Sequence, residues 1–158
     1  MEAKAPFNRW PVQVFHEAFG FAWYAHPAAF VSHAVVSTGT VEGATVLQDW
    51  IDVVIDRKAA EIQAVGGLFI FHDWRSAVDY TSAGRQTYFD RMRTRRPGYL
   101  RHSVVCMQGN ALWRMAISAG NLVAAVTGGG RVEVAKDPMV TLAKHRIRPP
   151  VVGERFPT

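Results

Sequence analysis

Four consecutive apolar residues, Leu68–Phe71 in "GGLFIFHDW", constrain this chain more than any other feature. The run is too short for a helix on its own, it is bounded by paired glycines, and it lacks polar alternation. A strand covered on both faces has that signature, and strands of that kind belong to parallel sheets flanked by helices. The segments on either side are helical in pattern. Thr40 and Glu42 open a stretch carrying Val46, Leu47, Trp50, Val53 and Val54 at a 3.6-residue spacing, with Asp49, Asp52 and Asp56 among its polar positions. After the strand, "TSAGRQTYFDRMRTRRPG" places Tyr88, Phe89 and Met92 to pack inward, gathers its arginines in the last turns and stops at Pro97-Gly98.

The pattern extends in both directions. Phe21–Ala25 and Phe30–Val36 are extended runs separated by Pro27, which predicts a hairpin. "HSVVCM" is a second buried strand. Residues 111–127 carry a helical period that Gly120 interrupts and Gly128–Gly130 end. "RVEVA" is a short strand, and "MVTLAKHRI" a helix after Pro138. Strands alternating with helices predict an α/β fold: a mixed sheet of four to five strands opening with an antiparallel hairpin. The folded part is expected over residues 22–147. The proline-containing ends, residues 1–21 and 148–158, are expected to be a poorly ordered leader and tail.

Length and composition agree with one globular domain: 158 residues, 49% hydrophobic and 20% charged. The formal charge of +5 permits an acidic partner without selecting one. One cysteine, Cys106, excludes an intramolecular disulfide and suits a reducing compartment, and no apolar stretch approaches a membrane span. A soluble, cytoplasmic protein is the expectation.

Ligands of open α/β sheets bind beyond the carboxyl ends of the strands. Three stretches qualify: "HDWRSAVDYTSAG", "MQGN" and "AKDP". In the first, Thr81 or Ser82 can cap the following helix by accepting from its first backbone N–H groups. A phosphate on Ser82 would gain from the same N–H groups and from the helix dipole. His72, Asp73 and Ser82 supply the residue types of a hydrolytic triad. Adjacent strand residues point to opposite faces, however, and no GxSxG elbow is present, so catalysis is not expected. The six histidines are scattered at 16, 26, 33, 72, 102 and 145 with no HExxH and no partner cysteines; no metal is expected, and His33 and His102 are read as core or edge residues. No cofactor motif of the GxGxxG or GxxxxGK[ST] type occurs. Arg91, Arg93, Arg95 and Arg96 suit a helix C-terminus, and without exposed aromatics between them nucleic acid is not expected as a partner.

"LFIFHDWRSAVDYTSAGRQTY", "RHSVVCMQGNALWRMA" and "GGGRVEVAKD" together resemble a STAS-type domain, the sulphate-transporter and anti-sigma-factor-antagonist fold, in the branch of the sporulation anti-anti-sigma factor. The resemblance covers residues 22–147. In that family the loop after the central strand reads Asp-Ser-(Ser/Thr)-Gly, and an anti-sigma kinase phosphorylates the serine and so abolishes binding. Thr81-Ser82-Ala83-Gly84 occupies that loop here. Ser82 matches the modified serine and Gly84 the glycine, Thr81 stands in the aspartate's place, and Asp79 lies two residues earlier. The resemblance implies a non-enzymatic regulatory domain with a protein partner, an anti-sigma kinase among the candidates, switched at Ser82 or Thr81. Its docking surface would comprise Asp73, Trp74, Arg75, Asp79, Gly84 and Arg85. The alternative is a small-ligand or lipid-binding domain with a pocket lined by Trp74, Trp113 or Met115, as the similarity of sheet topology to CRAL-TRIO domains suggests. Phe15, Phe19, Phe21 and Trp23 would supply an apolar contact for a homodimer.

Overall fold

A computed structural model describes residues 6–107 and 132–158. The helix expected over 111–127 and its terminating glycines, along with Trp113 and Met115, lie outside the described residues.

Among the described residues the sheet is mixed and has six strands in the order β1-β2-β3-β5-β7-β8. These are β1 (Val14–His16), β2 (Gly20–Ala25), β3 (Ala29–Ala34), β5 (Leu68–Asp73), β7 (Leu100–Cys106) and β8 (Val132–Ala135). The first three form an antiparallel meander, and β3, β5, β7 and β8 run parallel. Two residues each from β4 (Thr38–Gly39) and β6 (Asp79–Tyr80) make a separate parallel pair. Every residue of β2, β3 and β5 is buried, because both faces of the sheet are covered. One face packs on α1 (Val41–Arg57) and α2 (Ala59–Ala64) through Leu47, Ile51, Val54 and Ile62. The other is covered by the turn at Phe7–Arg9 and by α4 (Pro138–Lys144), through Phe7 and Leu142. The fourth described helix, α3 (Ser82–Arg93), lies against α1.

The α/β class, the mixed sheet and the opening hairpin are as the sequence indicates, but there are more strands than the four to five expected. The additional strand, β1, falls within the leader. Residues 6–21 and 148–158 are not loose flanks. Phe7 is fully buried and stacks on Trp23 at 5.2 Å, and Trp10 meets both rings. At the other end Phe156 packs edge-on to Phe30 and Trp50, while Arg148 exchanges backbone hydrogen bonds with His26. Aromatic burial of this kind outweighs the proline content that suggested disorder. Phe19, Phe21 and Trp23 are buried within the chain, so they offer no surface to a second copy; of that aromatic set only Phe15 is part-exposed.

Two arginines, one in the last turn of α3 and one just past it, tie α3 to α1. Arg91 bonds Asp49 and Asp52 of α1, and Arg95, whose side chain is only 6% exposed, bonds Asp52 at 2.7 Å and the Gln48 carbonyl at 3.1 Å. Burial alone would push the Asp52 carboxyl up, but the bonds from Arg91 and Arg95 hold it below the ordinary carboxylate range.

Candidate functional site

The parallel strands end side by side at His33, Asp73, Cys106 and Ala135, which are register neighbours across β3, β5, β7 and β8. The chain then leaves β5 through Trp74 and Arg75 and returns along β6 to α3. Two polar clusters form there, one on each face, because His72 and Asp73 alternate across the strand.

On the α1/α3 face, His72 is wholly buried. Its Nδ1 lies 2.7 Å from Ser32 Oγ and its Nε2 3.1 Å from the Tyr88 hydroxyl, while Trp74 stacks on the ring at 4.7 Å. Burial, and secondarily the charge of Arg95, depresses the imidazole to about 3, so His72 is neutral at physiological pH. A neutral ring has one donor and one acceptor, which the two hydroxyls satisfy. The arrangement is a fully bonded structural network.

On the opposite face, Asp73 accepts from His33 Nδ1 at 2.8 Å and from Arg75 Nε at 2.8 Å and Nη2 at 3.0 Å. The carboxylate is 1% exposed. Burial pushes its pKa up, but the bonds from His33 and Arg75 outweigh that and leave it lowered. His33 also packs against Phe7 and Phe21, and its Nε2 has no hydrogen-bond partner among the described residues. His72 and Asp73 are thus occupied separately, with Ser32 and Tyr88 on one side and His33 and Arg75 on the other.

The loop that follows is fixed to the segment before α1. Val78 N donates to Ser37 O at 2.9 Å and Thr81 N to Gly39 O at 2.9 Å, extending the β4–β6 pairing. The cap of α3 is Thr81: its hydroxyl accepts from Gly84 N at 3.0 Å. Ser82 is the first helical residue, and Thr81, Ser82, Asp79 and Arg85 are all exposed. The other members of the expected docking surface divide. Arg75 is part-exposed, but the side chains of Asp73 and Trp74 turn inward, so partner contact through them would require rearrangement. Gly84 is buried where α3 crosses the N-terminus of α1; a Cβ there would come within 2.9 Å of the Thr40 carbonyl carbon and of Thr81 Oγ1.

A third cluster is not legible in the sequence. His102 of β7, Glu133 of β8 and His145, just past α4, converge on one point. The Nε2 atoms of the two histidines lie 2.8 and 3.0 Å from the same oxygen, Glu133 Oε2, and Lys144 Nζ is 3.1 Å from Oε1. Burial raises the Glu133 carboxyl, but these three partners bring it down to about 2. A spacing of 43 positions from His102 to His145 hides the pair from any spacing rule; the return of α4 across the sheet joins them.

No protein-family model matches the chain, and no curated protein or solved structure shows significant similarity to it. No described helix is long and apolar enough to cross a membrane.

Proposed function

We propose that this chain is a cytoplasmic, non-enzymatic regulatory domain that binds a protein partner around the N-terminus of α3, with Ser82 as the residue whose phosphorylation changes that binding. The observation that carries the reading is the division of labour between two neighbouring hydroxyls. Thr81 caps α3, so the exposed Ser82 side chain has no structural duty there. A phosphate at that first helical position would face free backbone N–H groups and the positive end of the helix dipole. Arg85 is exposed three residues further along the same helix, the spacing at which helical side chains are neighbours. The resemblance of the loop and of the element order to STAS domains supports the same reading, with Thr81 serving as cap where that family has aspartate.

The test is phosphopeptide and intact-mass analysis of protein from its native host, together with affinity capture by the wild-type, Ser82→Ala and Ser82→Asp chains. Phosphate on Ser82, and a partner kept by Ala but lost by Asp, is the expected result. An unmodified serine and partners indifferent to both substitutions would sink the proposal.

One observation favours a second reading, a small ligand at the strand ends. His33 Nε2 is a buried nitrogen without a partner among the described residues, next to the part-exposed Arg75. A metabolite library screened by shifts of the His33 ring resonances distinguishes the two readings.

A further inference from the structure

We propose that His102, Glu133 and His145 form a zinc site that fastens α4 to the sheet. The site is independent of Ser82 and of the partner reading.

The ligand set is two imidazole nitrogens and one carboxylate oxygen, the combination that zinc sites use when a fourth position is left to water or to another ligand. The three candidate ligand atoms all lie within 4.8 Å of one another. Zinc holds such donors at ~2.0–2.2 Å, which spaces tetrahedral ligand atoms at about 3.3–3.5 Å. The two nitrogen–oxygen separations, 2.8 and 3.0 Å, therefore need to open by about 0.3–0.7 Å.

The rings are already oriented. Phe69 stacks on His102 at 6.0 Å and packs against His145 at 5.0 Å, and the two imidazoles are 4.7 Å apart. Both present Nε2, not Nδ1, to the same oxygen. Preorganisation of this kind removes much of the entropy cost of collecting ligands from three separate elements. All three side chains are part-exposed, so an ion can reach them from solvent.

Lys144 opposes the ion, because its Nζ occupies Glu133 Oε1 at 3.1 Å. Lys144 is 65% exposed and can swing into water, leaving Oε2 as the metal ligand. For Nε2 of each histidine to bind zinc, the proton it directs at Glu133 must leave that nitrogen, and a neutral ring does this by carrying its proton on Nδ1 instead.

The experiment uses the untagged full chain, stripped with chelator and titrated with zinc chloride by calorimetry. Cobalt is then added to a second sample to read the visible absorption of a tetrahedral site. One zinc per chain is expected, with affinity falling at least about tenfold in His102→Gln and in His145→Gln, since even the loss of a supporting group around a site costs ~10–100-fold. Far-UV circular dichroism shows whether these two variants remain folded. Lys144→Ala, an exposed position, should bind several-fold more tightly because the competing cation is gone. Two results overturn the proposal: zinc retained by neither the wild-type chain nor Lys144→Ala, or zinc binding undiminished in folded His102→Gln and His145→Gln chains.

Discussion

His33 donates through Nδ1 to Asp73 Oδ2 at 2.8 Å, between neighbouring parallel strands and with both side chains almost wholly buried. The pair joins β3 to β5 through side chains as well as backbone. The Arg75 guanidinium supplies two further bonds to the same carboxylate.

Removing that carboxylate leaves a guanidinium and a buried imidazole facing a neutral group. Asp73→Asn should therefore cost about 3 kcal/mol at pH 7, in the range for breaking one half of a buried charged pair. The pH dependence has a definite sign. Asp73 titrates below its ordinary value of about 3.9 when folded, so its contribution is complete above that pH and is lost as the pH falls through the folded value. Urea unfolding from pH 7 down to pH 2 checks this: the gap between wild type and Asp73→Asn should narrow below about pH 4. A gap that stays constant to pH 2 contradicts the assignment.

The two hydroxyls at the start of α3 should separate cleanly in equilibrium unfolding. Thr81→Ala removes the acceptor for Gly84 N and should cost about 1 kcal/mol. Ser82→Ala, at an exposed position without a capping role, should stay within about 0.5 kcal/mol of wild type. The reverse order would move the cap to Ser82 and remove the argument for a spare hydroxyl.

Gly84 is a test of the helix crossing. Alanine is the better helix former by ~1 kcal/mol, so propensity alone predicts stabilisation. The added methyl group would instead press on the backbone of Thr40, which is the start of α1 and cannot swing aside like a side-chain end. Gly84→Ala should destabilise by about 1–3 kcal/mol, measured by thermal or urea melts. A more stable variant would show that the two helices have room to part.

The elements that bury continuous apolar runs are legible in the order of residues alone. Phe21–Ala25 and Leu68–Phe71 form strands, and Thr40 caps α1 as its position suggests. Tyr88 does point inward, toward His72. What the sequence conceals is long-range. Three residues of β1 are too few to display alternation, and the burial of Phe7 and Phe156 depends on partners far along the chain. Arg91 and Arg95 satisfy a local rule about helix ends, which masks their bonds to Asp49 and Asp52 on α1. The candidate site is half readable. Ser82 and Thr81 can be placed on a helix N-terminus from local chemistry alone, whereas the inward turn of Trp74 and the meeting of His102 with His145 follow from the crossing of sheet and helix.

Phe156 has a consequence for how the protein comes off the ribosome. It closes the face built on Phe30 and Trp50, and the His26–Arg148 bridge lies just upstream of it. Every described strand of the sheet has been synthesised by residue 135, yet that face still lacks its last ring for 21 more residues. Translation must pass Phe156 before the core is sealed. Until that aromatic clears the exit tunnel, the nascent chain exposes apolar surface to chaperones and proteases.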